Sequence, residues 1–252
     1  MEIWRPLWAL SRPNGPADTL SYFGGLPTGL PAAAWPQCGE CGTAMTLLLQ
    51  LAAGPWLPRI PSGHALLVFK CESDDVCDFW EPDEIANRCL LLPVSAGSSA
   101  TAAPTTTGAE PSRVLPQLWV QAWESDEDGI AAEVADQLTD PDRFWDVPEH
   151  VSFGHGFASE HLTKAGGAPY WTGQGPSDNP PLPRRLLVQL DNWIALTDSA
   201  AAIADSPAGR DPLTTVSGQS ISAANFMSDG IAYVFDTTPD APLPTPRLVI
   251  NR

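Results

Sequence analysis

Apolar residues in this chain come in short bursts, not in long helical stripes. The runs "TLLLQLAA", "HALLVF", "RLLVQLDN" and "GIAYVF" are brief, bounded by Gly, Pro or charged residues, and rich in branched and aromatic side chains. That pattern predicts buried strands. Residues 115–123, "LPQLWVQAW", form a further strand candidate with Leu118, Val120 and Ala122 on one face. Residues 130–138 place Ile130, Val134 and Leu138 on one helical stripe, with Asp126 or Ser125 as the cap and "TDPD" from Thr139 as the stop. A second short helix is predicted near 195–204, and the C-terminal "PRLVINR" as an edge strand. The fold class expected is β-rich α+β.

The bursts repeat in order. A Gly-Gly-x-Pro turn occurs at Gly24, Gly25 and Pro27, and again at Gly166, Gly167 and Pro169. An apolar run interrupted by one glutamine follows each turn, with Gln50 in the first and Gln189 in the second. An alternating apolar strand ending in Phe comes next, at Phe69 and Phe235. The chain therefore reads as two related half-domains, 1–94 and 114–252, packed as one unit. Between them, 95–113 is small, polar and Pro-containing, the composition of a flexible linker or long loop. A glutamine in an apolar run must find hydrogen-bond partners, so each is expected to pin the backbone of its neighbouring loop. The paired glycines mark positive φ or close backbone approach.

Charge narrows the partners. Thirty acidic residues face thirteen basic ones, a net charge of −17. Phosphate binding needs Lys and Arg, and the one basic cluster is Arg184-Arg185. Nucleic acid is disfavoured, and a basic protein partner is favoured by steering. Ten tryptophans supply large anchors. No segment reaches the ~18 apolar residues of a membrane span, and "MEIWRPLWAL" lacks the pattern of a signal peptide. A cytoplasmic protein without membrane attachment is expected.

Cys38 and Cys41 form a Cys-x-x-Cys, and Cys71 and Cys77 follow after two predicted strands. If those strands pair antiparallel, all four sulfurs meet at one end of a hairpin. Four thiolates about 2.3 Å from one ion suit a structural Zn2+, with iron the other metal such a set accepts. A redox Cys-x-x-Cys would sit at a strand-to-helix turn; here an extended apolar run follows. A disulfide is disfavoured by a reducing compartment. Four cysteines leave no open position for catalysis. Cys89 reads as a buried core thiol.

No catalytic residue is assigned. The Gly-x-Ser-x-Gly elbow, the phosphate-binding loop and His-Glu-x-x-His are missing. "ESDEDGI" starts like a calcium loop, but its twelfth position is Ala135 where a bidentate Glu is required. His155, in "FGHGF", is a candidate pocket or partner-contacting residue, and Trp171, in "PYWTGQ", a candidate partner anchor with a core position as its other reading.

The stretch "FGGLPTGLPAAAWPQCGECGTAMTLLLQLA", with "HALLVFKCESDDVC" after it, resembles the YwqG-type domains of bacterial proteins. It is still more similar to the related eukaryotic programmed cell death protein two and its yeast counterpart. The shared pattern falls on Gly24, Gly25, Pro27, Cys38, Cys41, Gln50, Phe69, Cys71 and Cys77. "GGAPYWTGQ" through "LLVQLDN" to "GIAYVF" resembles the later half of YwqG-type domains. The resemblance implies a non-enzymatic protein-binding role. The eukaryotic relatives are chaperones of a basic small-subunit ribosomal protein, and some bacterial relatives are thought to be immunity proteins that neutralise toxins. The chain lacks the long eukaryotic insertions, so the client does not carry over. The alternative is an enzyme of unknown reaction with a pocket between the halves.

Overall fold

The structure, a computed structural model, describes the chain apart from residues 16–19, 74–76, 81, 83–84, 96, 105–112, 153–161, 172–174, 178, 228–229 and 252. Its strands are β1 Glu2–Ala9, β2 Tyr22–Phe23, β3 Thr46–Ala52, β4 His64–Lys70, β5 Asn87–Pro93 and β6 Leu118–Glu127. They continue with β7 Lys164–Gly166, β8 Arg185–Asp191, β9 Ile194–Ala195, β10 Thr215–Ser217, β11 Ser220–Ser222, β12 Ile231–Asp236 and β13 Pro246–Asn251. The helices are short: α1 Ala132–Leu138, α2 Glu149–Ser152 and α3 Ala200–Asp205. Among the described residues no helix is long and apolar enough to cross a membrane.

Ten strands form one sheet in the order β13-β12-β8-β7-β1-β6-β2-β3-β4-β5, and β10-β11-β9 form a small second sheet. The outermost strands β13 and β5 come together, and Ile250 N–H of β13 donates to the carbonyl of Trp80, in the segment before β5, at 3.2 Å, so the large sheet nearly closes. At its centre β1 and β6 run antiparallel, Glu2 opposite Glu127 and Ala9 opposite Trp119. This pairing crosses the halves read from the sequence. β1, from the first half, pairs with β7 of the second, and β6, from the second, pairs with β2 of the first.

Outward from that central pair the two sides follow the same plan. Gln50 accepts the Thr28 N–H at 2.9 Å and donates to the Leu20 carbonyl at 3.3 Å. Gln189 accepts the Tyr170 N–H and donates to the Leu162 carbonyl, both at 2.8 Å. Ser21 Oγ accepts from Ala52 N–H, and Thr163 Oγ1 accepts from Asp191 N–H. Tyr22 Oη donates to the Leu26 carbonyl, and Lys164 Nζ donates to the Ala168 carbonyl. β3 bulges at Leu48 and β8 at Leu187, each two residues before its glutamine. Each amide thus clamps the loop around its Gly-Gly turn.

The turns tolerate only glycine. Gly24 has φ +63°, and a Cβ there would lie 2.2 Å from the Pro116 carbonyl oxygen. Gly167 has φ +69°, and its Cβ would lie 2.3 Å from Ile3 Cγ2. The described part of the 95–113 stretch lies against the first turn: Gly29 N–H donates to Ser99 O, and Thr101 N–H to Pro27 O. The predicted caps are corrected. Ser125 and Asp126 lie in β6, and α1 starts after Ala131 with no side-chain cap. Residue 195 belongs to β9, and α3 is instead capped by Ser199, which accepts from Ala202 N–H.

Two outcomes are expected. Gln50→Leu or Gln189→Leu takes the side-chain partner from two backbone groups that are buried or half-buried, so urea unfolding should show each variant about 1–3 kcal/mol less stable. The Lys164 amine, fully buried, is lowered to about 7 by burial, with Asp128 pulling partly the other way. Its folded value lies below its unfolded value, so the unfolded chain holds more protons above pH 7. This group's contribution to stability therefore rises with pH from about 7 to about 10, at up to about 1.4 kcal/mol per unit. Unfolding of Lys164→Met across that range should lack this rise.

Candidate metal centre

The four cysteines expected to act together do meet. Their sulfurs all lie within 4.8 Å of one another. Cys41 Sγ and Cys71 Sγ are 3.6 Å apart, near the edge of about 3.8 Å that a tetrahedron of 2.3 Å metal–sulfur bonds requires. The cluster could hold a metal ion. Cys38, Cys71 and Cys77 are buried and Cys41 is half-buried.

Local backbone structure builds this arrangement. Cys38 N–H donates to Thr43 O and Gly42 N–H to Cys38 O, both at 2.9 Å, which curls residues 38–43 into a tight turn. Gly42 sits at φ +72°, where the chain reverses toward β3. The antiparallel β3–β4 ladder sets Thr46 opposite Lys70, so the residue after β4, Cys71, arrives beside the turn. Cys71 N–H donates to Ala86 O at 2.8 Å, and Gly39 N–H to Ile85 O at 2.7 Å. Trp35 roofs the region, donating to Met45 O at 2.8 Å and meeting Phe69 edge-on.

The thiols share one electrostatic problem. Burial alone would raise Cys41, but hydrogen bonds from Thr43, Cys71 and Cys38 outweigh it and lower it to about 7. Burial pushes Cys71 up to about 12, helped by its sulfur neighbours. Cys77 is raised too, by burial and then by hydrogen bonds with Cys41 and Cys38. Four thiolates cannot ionise at this separation without a cation among them. A divalent ion supplies that charge and displaces the protons.

A charged support beside the ligands was not read from the sequence. Glu72 directly follows Cys71; its side chain is buried, and its carboxylate lies 2.6 Å from Lys70 Nζ. It also meets Arg113 Nη1 at 3.3 Å and accepts the Asn225 N–H at 3.2 Å. Lys70 donates to Cys71 O at 2.9 Å and sits 3.8 Å above the Phe79 ring. Burial lowers the Lys70 amine and Glu72 draws it back. The signal was present in "FKCE": two charges flanking a cysteine at the end of an apolar strand.

Cys89 lies apart from the four, buried in β5 opposite Val68, with burial raising its thiol. Trp171 is a correction. It is 1% exposed, donates to Leu138 O at 2.7 Å and stacks on Tyr233 at 4.5 Å. It shares a core cluster with Ala135 and Leu138 of α1 and with Tyr233 and Phe235 of β12, so no face remains for a partner, and the core position is the one it takes. His155 lies outside the described residues. No protein-family model matches the chain, and no curated protein matches it.

Cobalt(II) titration of the metal-free protein should give tetrahedral thiolate absorption at one equivalent, and Cys71→Ser should abolish it. Because binding displaces thiol protons, the apparent cobalt affinity should climb as pH rises from about 6 to about 8.

Proposed function

We propose that this chain is a non-enzymatic binding protein that captures a basic polypeptide, as a chaperone of a ribosomal protein or as an immunity protein against a toxin. The observation that carries the reading is a tryptophan cluster on the central strand pair. Trp56 and Trp123 stack at 4.6 Å and 10°, and Trp4 meets Trp56 edge-on at 6.3 Å. All three are half-buried, with part of their surface open. Strand alternation puts Glu2 and Glu127 on the same face as Trp4 and Trp123. These two carboxylates stand directly opposite one another, an arrangement that costs stability unless a cation offsets it; the Met1 amine is 3.5 Å from Glu127. Glu124 and Asp126 add exposed charge on the other face, each within 3.5 Å of Arg5.

A basic segment suits this surface. Arg and Lys side chains stack on indole faces, carboxylates steer the approach, and aromatic anchors concentrate binding energy. The net charge of −17 extends the attraction beyond contact range. The resemblance to YwqG-type domains and to the eukaryotic ribosomal-protein chaperones points to the same class of partner.

The metal in this reading is zinc, and its role is structural. The cysteine set is all-sulfur and closed, the composition of zinc sites that brace a fold. We infer also that the two halves descend from one duplicated unit. The support is the recurrence, in the same order, of the Gly-Gly turn, the glutamine clamp, the hydroxyl bond to the strand and the bulge.

The basic protein that co-purifies with the chain, once isolated, should bind it with an affinity that falls steeply from about 50 to about 500 mM salt. Trp4→Ala with Trp123→Ala should weaken that binding by about tenfold or more. Binding that ignores salt and survives both substitutions would end the proposal.

A further inference from the structure

A cavity of about 550 Å³ opens beside Trp56, between the loop after β3, helix α1 and strands β7 and β8. That size is in the range that encloses a small organic ligand. Its walls are largely apolar: Trp56 and Leu57 on one side, Ala135 and Pro169 on the other. Its charge opposes that of the whole molecule. Three of the thirteen basic residues, Arg59, Arg184 and Arg185, line it together with one carboxylate, Asp136.

The three guanidinium groups are held differently. Arg184 is buried, and its nitrogens donate to the carbonyls of Thr139, Pro180 and Ser177. These bonds fix it in the wall, where it contributes positive potential. Arg59 is fixed by its Nε to Asp236 at 3.1 Å and by its Nη2 to the Thr238 and Ala241 carbonyls. Its Nη1 has no acceptor among the described residues. Arg185 is exposed, and its side chain makes no hydrogen bond or ion pair among the described residues.

Arg185 and Arg59 meet around one residue. Arg185 stands directly opposite Asp236 across the β8–β12 ladder, on the face where Arg59 reaches the Asp236 carboxylate. That carboxylate is fully buried, and its oxygens are taken by Arg59, Thr238 and Thr245. It offsets Arg59, and among the described residues no carboxylate pairs with Arg185. An orientated guanidinium edge and a guanidinium with no partner among the described residues therefore border an apolar chamber.

We propose that this cavity binds an anionic amphiphile, a carboxylate carried on an apolar body. The carboxylate sits between Arg59 and Arg185, where planar paired donors match its two oxygens. The apolar body lies against Trp56, Leu57, Ala135 and Pro169, where burial drives it from water. This site borders the carboxylate-edged tryptophan face and shares Trp56 with it, but its arginines lie outside that face and it does not depend on capture of a basic polypeptide.

The test is titration of the full chain with dodecanoate below its micelle concentration, followed by calorimetry. Dodecyltrimethylammonium, with the same tail and the opposite charge, is the control. Saturable binding of one dodecanoate is expected, at least tenfold tighter than the cation. Arg185→Glu should weaken it about tenfold or more. Ala132→Trp, at an exposed position on the rim, should block it by filling the mouth. Thermal unfolding of each variant establishes that it is folded, and if Arg185→Glu does not fold, Ala132→Trp decides. Absent saturation, equal affinity for the cation, or unchanged affinity in the folded variants would overturn the proposal. None of these outcomes bears on binding of a basic polypeptide.

Discussion

Everything distinctive in this molecule depends on the antiparallel ladder between β1 and β6. Those strands are distant in sequence, and each continues into the sheet of the half it does not precede. Joining them turns two five-strand sides into one ten-strand sheet. The ladder also brings Trp4 to Trp123, sets Glu2 against Glu127, and carries Ile3 under Gly167. A register slip of one residue would send the tryptophans to the other face. The bulge between Leu7 and Trp8 adds twist at this centre.

Charge is distributed with the same economy. The chain has two lysines, Lys70 and Lys164, and both are fully buried. Lys70 faces Glu72 beside the cysteines, and Lys164 feels the carboxylate of Asp128. Removing one partner of such a pair costs more than the pair itself is worth, because a buried charge is left uncompensated. Glu72 further ties the segment carrying Cys71 to Arg113 and to the backbone of Asn225. The cysteine-bearing loops are held in place by parts of the chain far from them in sequence, the kind of support that metal sites commonly have. With both lysines buried, the exposed side-chain cations are arginines, which can stack as well as pair.

Local pattern made much of this legible. Short apolar runs bounded by Gly and Pro gave strands because a buried strand needs little more than branched side chains and a stop. The cysteine cluster was legible because two Cys pairs at the ends of adjacent antiparallel strands have one geometric outcome. Gln50 and Gln189 were legible as clamps because a buried amide has no cheap alternative to full hydrogen bonding. β1 was not, since its mixture of Trp, Arg and Pro carries no clean alternation, and its strand form comes from its two neighbours. The cap of α1 was missed for a related reason: Ser125 and Asp126 are drawn into β6 by pairing with Trp4 and Ile3.

By itself, then, the sequence determined the strand content, the repeated order of turn, glutamine and apolar run, the thiol cluster and the acidic surface. All are set by neighbours in the chain or by composition. Tertiary structure alone decided which tryptophans stay open, placing Trp171 in the core while leaving Trp4, Trp56 and Trp123 half-exposed. It also decided where three arginines gather in an acidic protein, and which strand joins the halves. Those outcomes turn on packing between segments remote in sequence, where burial and register, not local preference, carry the free energy.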